Sequence, residues 1–137
     1  MGNWIPNDPT SFVSDILKIS SAFTPPPPEG FISPMLWGVE DEVLERFGSA
    51  GVAPDRITME QGTFEFVSDT RGPDDWVSIM RDYYGPTMNA YEVARTSGKE
   101  AELHRQLTEL AHSHNCTSGS GLRVRATYLR VTVELPA

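Results

Sequence analysis

The side chains best able to bind a metal ion or act as a nucleophile lie close together near the end of a predicted helix. His112 and His114 are two residues apart, and Cys116 follows two further on. Because residues two apart on a helix do not face each other, this spacing is poor for a shared metal ion. Histidines at a helix C-terminus instead interact favourably with the helix dipole. Cys116 has no basic neighbour in the sequence, and a nucleophilic role would need a base supplied by the fold. We therefore predict no metal site and assign no catalytic residue.

Acidic side chains are grouped at two places, Asp74 with Asp75 and the run Glu40, Asp41 and Glu42. Paired carboxylates can serve in general acid–base catalysis. Both groups, however, fall in the first turn of predicted helices, where negative charge stabilises the helix dipole, and this is the interpretation we favour. The glycine-containing loop at residues 119–121 precedes a strand, whereas a phosphate-binding loop opens a helix. The sequence contains no P-loop, HExxH motif or nucleophile elbow.

Aromatic residues and methionines form a third set, and it is large for a chain of 137 residues. Such side chains line pockets that bind apolar or aromatic small molecules. Trp76 and Met80 fall on the buried stripe of one predicted helix and are assigned to the core. The candidates for a ligand pocket are Trp4, Met35, Trp37, Tyr83, Tyr84 and Met88.

The composition is that of one folded domain with a net charge of -8 and a pI near 4.7. An acidic chain is a poor partner for nucleic acid or an anionic membrane surface, since phosphate neutralisation needs basic residues. No apolar run is long enough to span a membrane, and the first ten residues do not resemble a secretory signal. The single cysteine fits a reducing compartment. We expect a cytoplasmic protein that binds neither nucleic acid nor membrane.

The first part of the chain, residues 1–55, is predicted to be helical with a proline-rich interruption. A helix is expected over residues 9–22, with Asp8 as its N-cap and Pro9 in its first turn. The four prolines at 25–28 force an extended segment, and residues 31–37 receive no assignment. A second helix is expected over residues 39–47, with Gly48 as its stop.

The second part, residues 56–137, is predicted as strand, helices and strand. Strand-like alternation is shown by Ile57 and Met59 before Gly62 and by Phe64 and Phe66 after it, and the interruption indicates a bulge or a bend rather than two independent strands. Helices are expected after the turn at 71–75, over 87–96 and after Gly98. A final strand is expected over residues 122–135, whose alternation changes phase near Tyr128. Either a bulge flips the buried face, or both faces of this strand are covered by protein. The predicted fold class is α+β or a truncated α/β domain, in a single domain over residues 1–137.

Several segments together resemble one family, the class I S-adenosylmethionine-dependent methyltransferases that act on small molecules. Asn3-Trp4-Ile5-Pro6 resembles the N-W-T-P-type stretch that follows the fifth strand of these enzymes. The four prolines followed by Ser33-Pro34-Met35-Leu36-Trp37-Gly38 are similar to their P-P-P…S-P-x-x-W-G segment. Tyr83-Tyr84-Gly85-Pro86-Thr87 resembles the end of their F-R-x-Y-Y-G-P-T helix, with Phe64 to Phe66 as the sixth strand and Tyr128 to Val133 as the seventh.

The resemblance covers almost the whole chain but corresponds only to the second half of such an enzyme. It implies a truncated methyltransferase-like domain of several helices with two or three mostly antiparallel C-terminal strands. The family binds S-adenosylmethionine at a Gly-rich loop upstream of this region, so we expect no cofactor for this chain alone and no catalysis by it alone. This half would supply the acceptor-side pocket, with a homodimer or a complementary methyltransferase half as partner. The alternatives are a stand-alone oligomeric small-molecule-binding protein, a regulatory or completing partner of a separate half, and an α+β domain with no activity.

Overall fold

In a computed structural model that describes residues 1–135, two long antiparallel strands form most of the sheet. These strands are β2 (Ile57–Ser68) and β3 (Leu122–Val133), paired from Ile57 opposite Val133 to Ser68 opposite Leu122. A short strand, β1 (Gly2–Trp4), pairs antiparallel with the other edge of β3, which gives the order β1-β3-β2. The helices are α1 (Phe12–Ala22), α2 (Glu40–Ser49), α3 (Pro73–Tyr83), α4 (Gly85–Thr96) and α5 (Glu100–His114), with 3-10 helices at Pro34–Gly38 and Pro54–Arg56. The chain is α+β, as the sequence predicts.

The change of phase in β3 arises because its two halves are buried on opposite faces of the sheet. Leu122, Val124 and Ala126 are buried on one face, and Leu129 and Val131 on the other. The pairing with β2 continues at a constant offset through Tyr128, so no bulge flips the strand. Of the two explanations left open above, the structure agrees better with coverage of both faces. Each face is covered over a different half of the strand. The same arrangement explains β2, which is one strand rather than two, as predicted, but has no bulge at Gly62 because its register with β3 stays constant.

The main core lies on the face of Leu122 and Val124. Helix α1 contributes Phe12 and Ile16, which are separated by one helical turn and therefore share a face. The other buried members come mostly from the three consecutive helices: Val77, Ala90, Tyr91, Ala94, Leu103, Leu107 and Ala111.

The minor core lies on the opposite face and is covered by α2 and the preceding 3-10 helix. Its fully buried members are Val43, Leu129 and Val131. Partly buried side chains surround them: Ile5, Trp37, Phe47, Ile57, Met59 and Val133.

Three helix boundaries and one strand differ from the prediction. Helix α1 begins at Phe12 with Ser11 as its N-cap, because residues 8–11 form a turn in which the Ser11 amide donates to the Asp8 carbonyl. Helix α2 continues through Gly48 and ends before Gly51, whose positive φ of 85° suits glycine. Gly85 and Pro86 begin α4 rather than only ending α3, since proline is accepted in the first turn of a helix. Strand β1 was not predicted, and three residues are too few for a periodic signal.

Candidate functional site

A groove of about 910 Å³ lies between α1, the start of α4 and the segment that leads into α2. Its lining is mainly apolar, and most of the residues belong to four stretches of the chain. We call it the acceptor groove, after the pocket that the sequence predicts. The four stretches are the loop at Pro6 and Asn7, one side of α1, residues Phe31 to Leu36, and the first turns of α4.

Helix α1 forms one wall of the groove because its two sides face different environments. Phe12 and Ile16 pack into the main core, whereas Ser14, Leu17 and Ser21 line the groove. These spacings of three and four residues place the second set on one side of the helix. Because the core holds the opposite side, the position of this wall is determined by the main core.

The 3-10 helix Pro34–Gly38 forms the facing wall, and a contact at each of its ends holds it in place. At its start, the Met35 amide donates to the Ser33 hydroxyl at 3.2 Å. At its end, Gly38 lies so close to β1 that a Cβ atom added there would lie 2.1 Å from the Trp4 carbonyl oxygen. This wall therefore needs glycine at position 38, and it joins the segment at residues 33–38 directly to β1.

Trp37 does not face the groove but attaches the same wall to the minor core. Its ring packs edge-on against Phe47 at 5.8 Å between centroids. The guanidinium carbon of Arg46 lies 5.0 Å from the Trp37 ring centroid, a cation–π contact. The wall is thus held by α2, whereas the opposite wall is held by the main core.

The two helices on the other side of the groove are connected by buried hydroxyl groups. The Ser20 and Thr87 oxygens are 3.4 Å apart, and both residues are almost completely buried. This contact places the first turns of α4, with Gly85, Pro86 and Asn89, against α1 at the base of the groove.

The loop between β1 and α1 is held in place by the Asp8 carboxylate. One oxygen accepts from the Thr10 amide at 2.8 Å and the Thr10 hydroxyl at 2.7 Å, and the other accepts from the Thr127 hydroxyl at 2.7 Å. Hydrogen bonds from Thr10 and then Thr127 hold the pKa of the Asp8 carboxyl below its ordinary value of 3.8. The preceding Asn7 has a φ of 57°, in the left-handed region that asparagine tolerates better than most residues. The loop thereby turns sharply at the edge of the groove.

The structure separates the six predicted pocket residues. Met35 alone among them lines the acceptor groove. Trp37 packs in the minor core, and Tyr84 packs beside the main core, where burial raises the pKa of its phenol. Tyr83 is 81% exposed and Met88 43% exposed, and neither lines the groove. Trp4 lies on the sheet, beside a different surface.

That different surface, here called the aromatic surface, consists of Trp4, Phe64, Phe66 and Tyr128. Phe66 lies 6.0 Å from Trp4 and 4.9 Å from Phe64 between ring centroids. The Tyr128 ring crosses Gly62, where an added Cβ would meet it at 2.6 Å, so this glycine makes room for the ring. Phe64 is 50% exposed, and a cleft of about 240 Å³ lies between it, β1 and Tyr128. The part of the sheet face at Phe64 and Tyr128 is therefore less covered by helices than the part at Leu122 and Val124, where the main core lies.

The histidines, cysteine and acidic groups have local structural contacts. His112 pairs with Asp74 at 3.3 Å and His114 with Asp15 at 3.0 Å, so the two rings do not converge. The Cys116 thiol donates to the His114 carbonyl at 3.4 Å. Asp75 accepts from the Gly72 amide at 3.2 Å and caps α3, in keeping with the helix-dipole interpretation. Across residues 1–135 there is no group of three metal-ligating side chains, and no helix of that region is long and apolar enough to cross a membrane.

The groove residues that sequence reasoning missed are Leu17, Lys18 and Phe31 on its rim, and Pro6 and Asn7 at its end. One signal could have found them. Three of the segments that carry the family resemblance contribute to this groove, through Pro6, through Ser33 to Leu36, and through Gly85 and Pro86. A search with the whole chain finds no matching family model, no matching curated protein and no matching solved structure.

Proposed function

We propose that this chain is the acceptor-side part of a methyltransferase-related protein, and that its groove holds an apolar or aromatic small molecule. The observation that carries the proposal is the meeting of the three resemblance segments. Pro6, Met35 and Pro86 are far apart in the sequence, yet all three line one cavity.

The topology of the sheet supports the same proposal. The segments that the resemblance treats as the sixth and seventh strands lie in β2 and β3. The resemblance implies two or three mostly antiparallel C-terminal strands, and β3 pairs antiparallel with both β1 and β2. Fold likeness does not determine activity, so it supports the ancestry of the chain more than its chemistry.

The chemistry of the groove favours binding over catalysis by this chain alone. Within residues 1–135 its lining includes no carboxylate, histidine or cysteine, and so no acid–base pair. What it does offer is an apolar surface from Leu17, Phe31 and Met35 with a few hydroxyl and amide groups, the usual composition of a small-molecule site. The chain would orient an acceptor, while S-adenosylmethionine would be bound by another polypeptide segment.

The test is a titration of the ¹⁵N-labelled chain with the neutral aromatic probe 2-naphthylacetamide, followed by amide chemical shifts. Saturable shifts are expected at groove positions such as Leu17, Met35 and Asn89, and none on addition of S-adenosylmethionine. Met35→Ala should weaken binding about fivefold through lost apolar contact. Met88→Ala, an exposed methionine outside the groove, is the matched control and should bind normally. Shifts confined to Trp4 and Tyr128, or saturable binding of S-adenosylmethionine, would refute the proposal.

We also propose that the aromatic surface is covered by a second copy of the chain or by a complementary methyltransferase half. The half-exposed Phe64 ring supports this, because it leaves apolar surface of the sheet open to water. Within residues 1–135 no strand pairs with the outer edge of β1, and an unpaired strand edge favours pairing with another chain. Light scattering of the titration samples gives the oligomeric state, and a monomer at micromolar concentration would exclude the homodimer.

A further inference from the structure

We propose that the natural ligand of the acceptor groove is an aromatic or apolar carboxylic acid whose single negative charge pairs with Lys18. The inference rests on the proposed function, since it concerns the ligand of the same groove. Its starting point is the distribution of charge around the cavity.

Lys18 is the only charged residue lining the groove within the described part of the chain. The protein as a whole carries a net charge of -8, with 19 acidic residues and only two lysines, Lys18 and Lys99. No carboxylate of residues 1–135 lies within 4.0 Å of the Lys18 ammonium group, although several arginines of the chain are paired. The formal charge lining the groove is therefore positive, and it favours an anionic ligand over a cationic one at this position.

The geometry of α1 places this charge at the rim of the apolar lining. Lys18 follows Leu17 on the helix and precedes Ser21 by three residues, and all three line the cavity. A lysine in this position can lay its methylene groups along an apolar surface while its ammonium group stays in water. A ligand with an apolar body and one charged end would match this arrangement, because each part meets its complement.

The number of cationic groups selects among anions. A phosphate monoester is best bound by the two-pronged guanidinium of arginine or by several donors acting together. No arginine of residues 1–135 lines the groove, and Lys18 supplies one positive charge. One ammonium group matches the single charge of a carboxylate.

The rest of the lining favours a flat, apolar body. Phe31 is 55% exposed and borders the groove together with Met35 and Pro86. An exposed aromatic ring, a flexible thioether and a proline ring offer three surfaces on which a planar group can stack. The side-chain amides of Asn7 and Asn89 also line the groove and make no hydrogen bond to the described residues, so they remain available to a polar substituent.

The test compares two probes of nearly the same shape, 2-naphthylacetate and its uncharged amide 2-naphthylacetamide, by calorimetry and by the amide shifts of the groove. The acid should bind the native chain about fivefold more tightly than the amide, the upper range for an exposed ion pair. Raising the salt concentration should reduce this preference, because the pair lies at the surface. Lys18→Met should bind both probes equally.

The chain supplies its own control, because its other lysine lies outside the groove. Lys99 is exposed and precedes α5, so Lys99→Met removes the same charge without touching the lining. This variant should keep the fivefold preference for the acid. Equal binding of the two probes to the native chain, or a preference that survives in Lys18→Met, would overturn the inference and leave the proposed function intact. Failure of both probes to bind at the groove would overturn the proposed function as well.

Discussion

The main core and the minor core lie on opposite faces of the same strand, yet they differ in how much of the chain they hold. The main core joins α1, α3, α4 and α5 to the first half of β3, and the minor core joins α2 and one 3-10 helix to the second half. The acceptor groove lies between them, with one wall on α1 and the other on the 3-10 helix. The wall on α1 is therefore backed by three further helices, whereas the wall on the 3-10 helix is backed by α2 and β1. Local opening should therefore begin at the wall attached to the minor core.

The largest expected effect is at a buried leucine of the main core. Leu103 on α5 has no exposed surface and packs among helices from three parts of the chain. Leu103→Ala should lower the free energy of unfolding by about 3 kcal/mol, through lost transfer energy and the cavity left behind. Urea denaturation followed by circular dichroism measures this, with Met88→Ala on the exposed side of α4 as the control. A loss below about 1 kcal/mol would mean that the main core is not the stronger of the two.

An intermediate effect on stability is expected where the 3-10 helix of the groove wall meets β1. Gly38→Ala places a Cβ against the Trp4 carbonyl oxygen, and backbone atoms cannot rotate away as a side-chain end can. We expect a loss of about 2 kcal/mol, typical of overpacking. Because the main core is distant, amide exchange should accelerate at residues 34–39 and in β1, while amides of α5 keep their protection. Ligand binding in the groove should also weaken in the Gly38→Ala variant.

Gly48→Ala is the matched control for this variant. Gly48 lies inside α2, and an added Cβ there would meet no atom within 4 Å. Alanine should therefore stabilise the protein by about 0.5 kcal/mol, since glycine is unfavourable within a helix. If the two glycine variants behaved alike, the close approach of Gly38 to β1 would not be what holds the groove wall.

The contrast between the two cores also explains which parts of the fold the sequence predicts. Helices α3, α4 and α5 have stripes of apolar residues at helical spacing on one side, and their existence follows from that pattern. The alternation in β3 changes phase because the covering helices change face at Thr127, and a pattern of residue types cannot distinguish that from a bulge. Strand β1 was missed because it is defined by its partner, not by its own three residues.

The acceptor groove was predicted less well for a related reason. Aromatic and methionine side chains were expected to line the pocket. Trp37 and Tyr84 instead pack against the two cores, and Trp4 lies on the sheet. The groove is lined instead by side chains that do not pack into either core, such as Leu17 and Lys18 on α1. Helical periodicity identifies that side as outward, but only the packing of distant segments shows that it faces a cavity.

The smallest expected effect lies at the joint between the two cores. Thr127 marks the point where burial in β3 changes face, and its amide donates to the Ser11 hydroxyl at 3.1 Å while its own hydroxyl donates to Asp8. Asp8→Asn keeps the shape but leaves one acceptor oxygen in place of two. We expect a loss of about 1 kcal/mol at pH 7, the usual contribution of one hydrogen bond to a charged or neutral acceptor.

The pH dependence of that loss identifies its cause. The pKa of Asp8 is lowered in the folded chain by hydrogen bonds from Thr10 and Thr127, so the carboxylate stabilises the fold at pH values above its ordinary pKa of 3.8. This contribution is lost as the pH falls through the lowered folded pKa. The difference in stability between Asp8→Asn and the native chain should therefore be constant from pH 5 to 7 and shrink towards pH 3. Asp69→Asn, at an exposed carboxylate with no hydrogen bond to the described residues, should show no such difference. A gap for Asp8→Asn that persisted unchanged at pH 3 would show that the ionised form of the Asp8 carboxyl is not the cause of the loss.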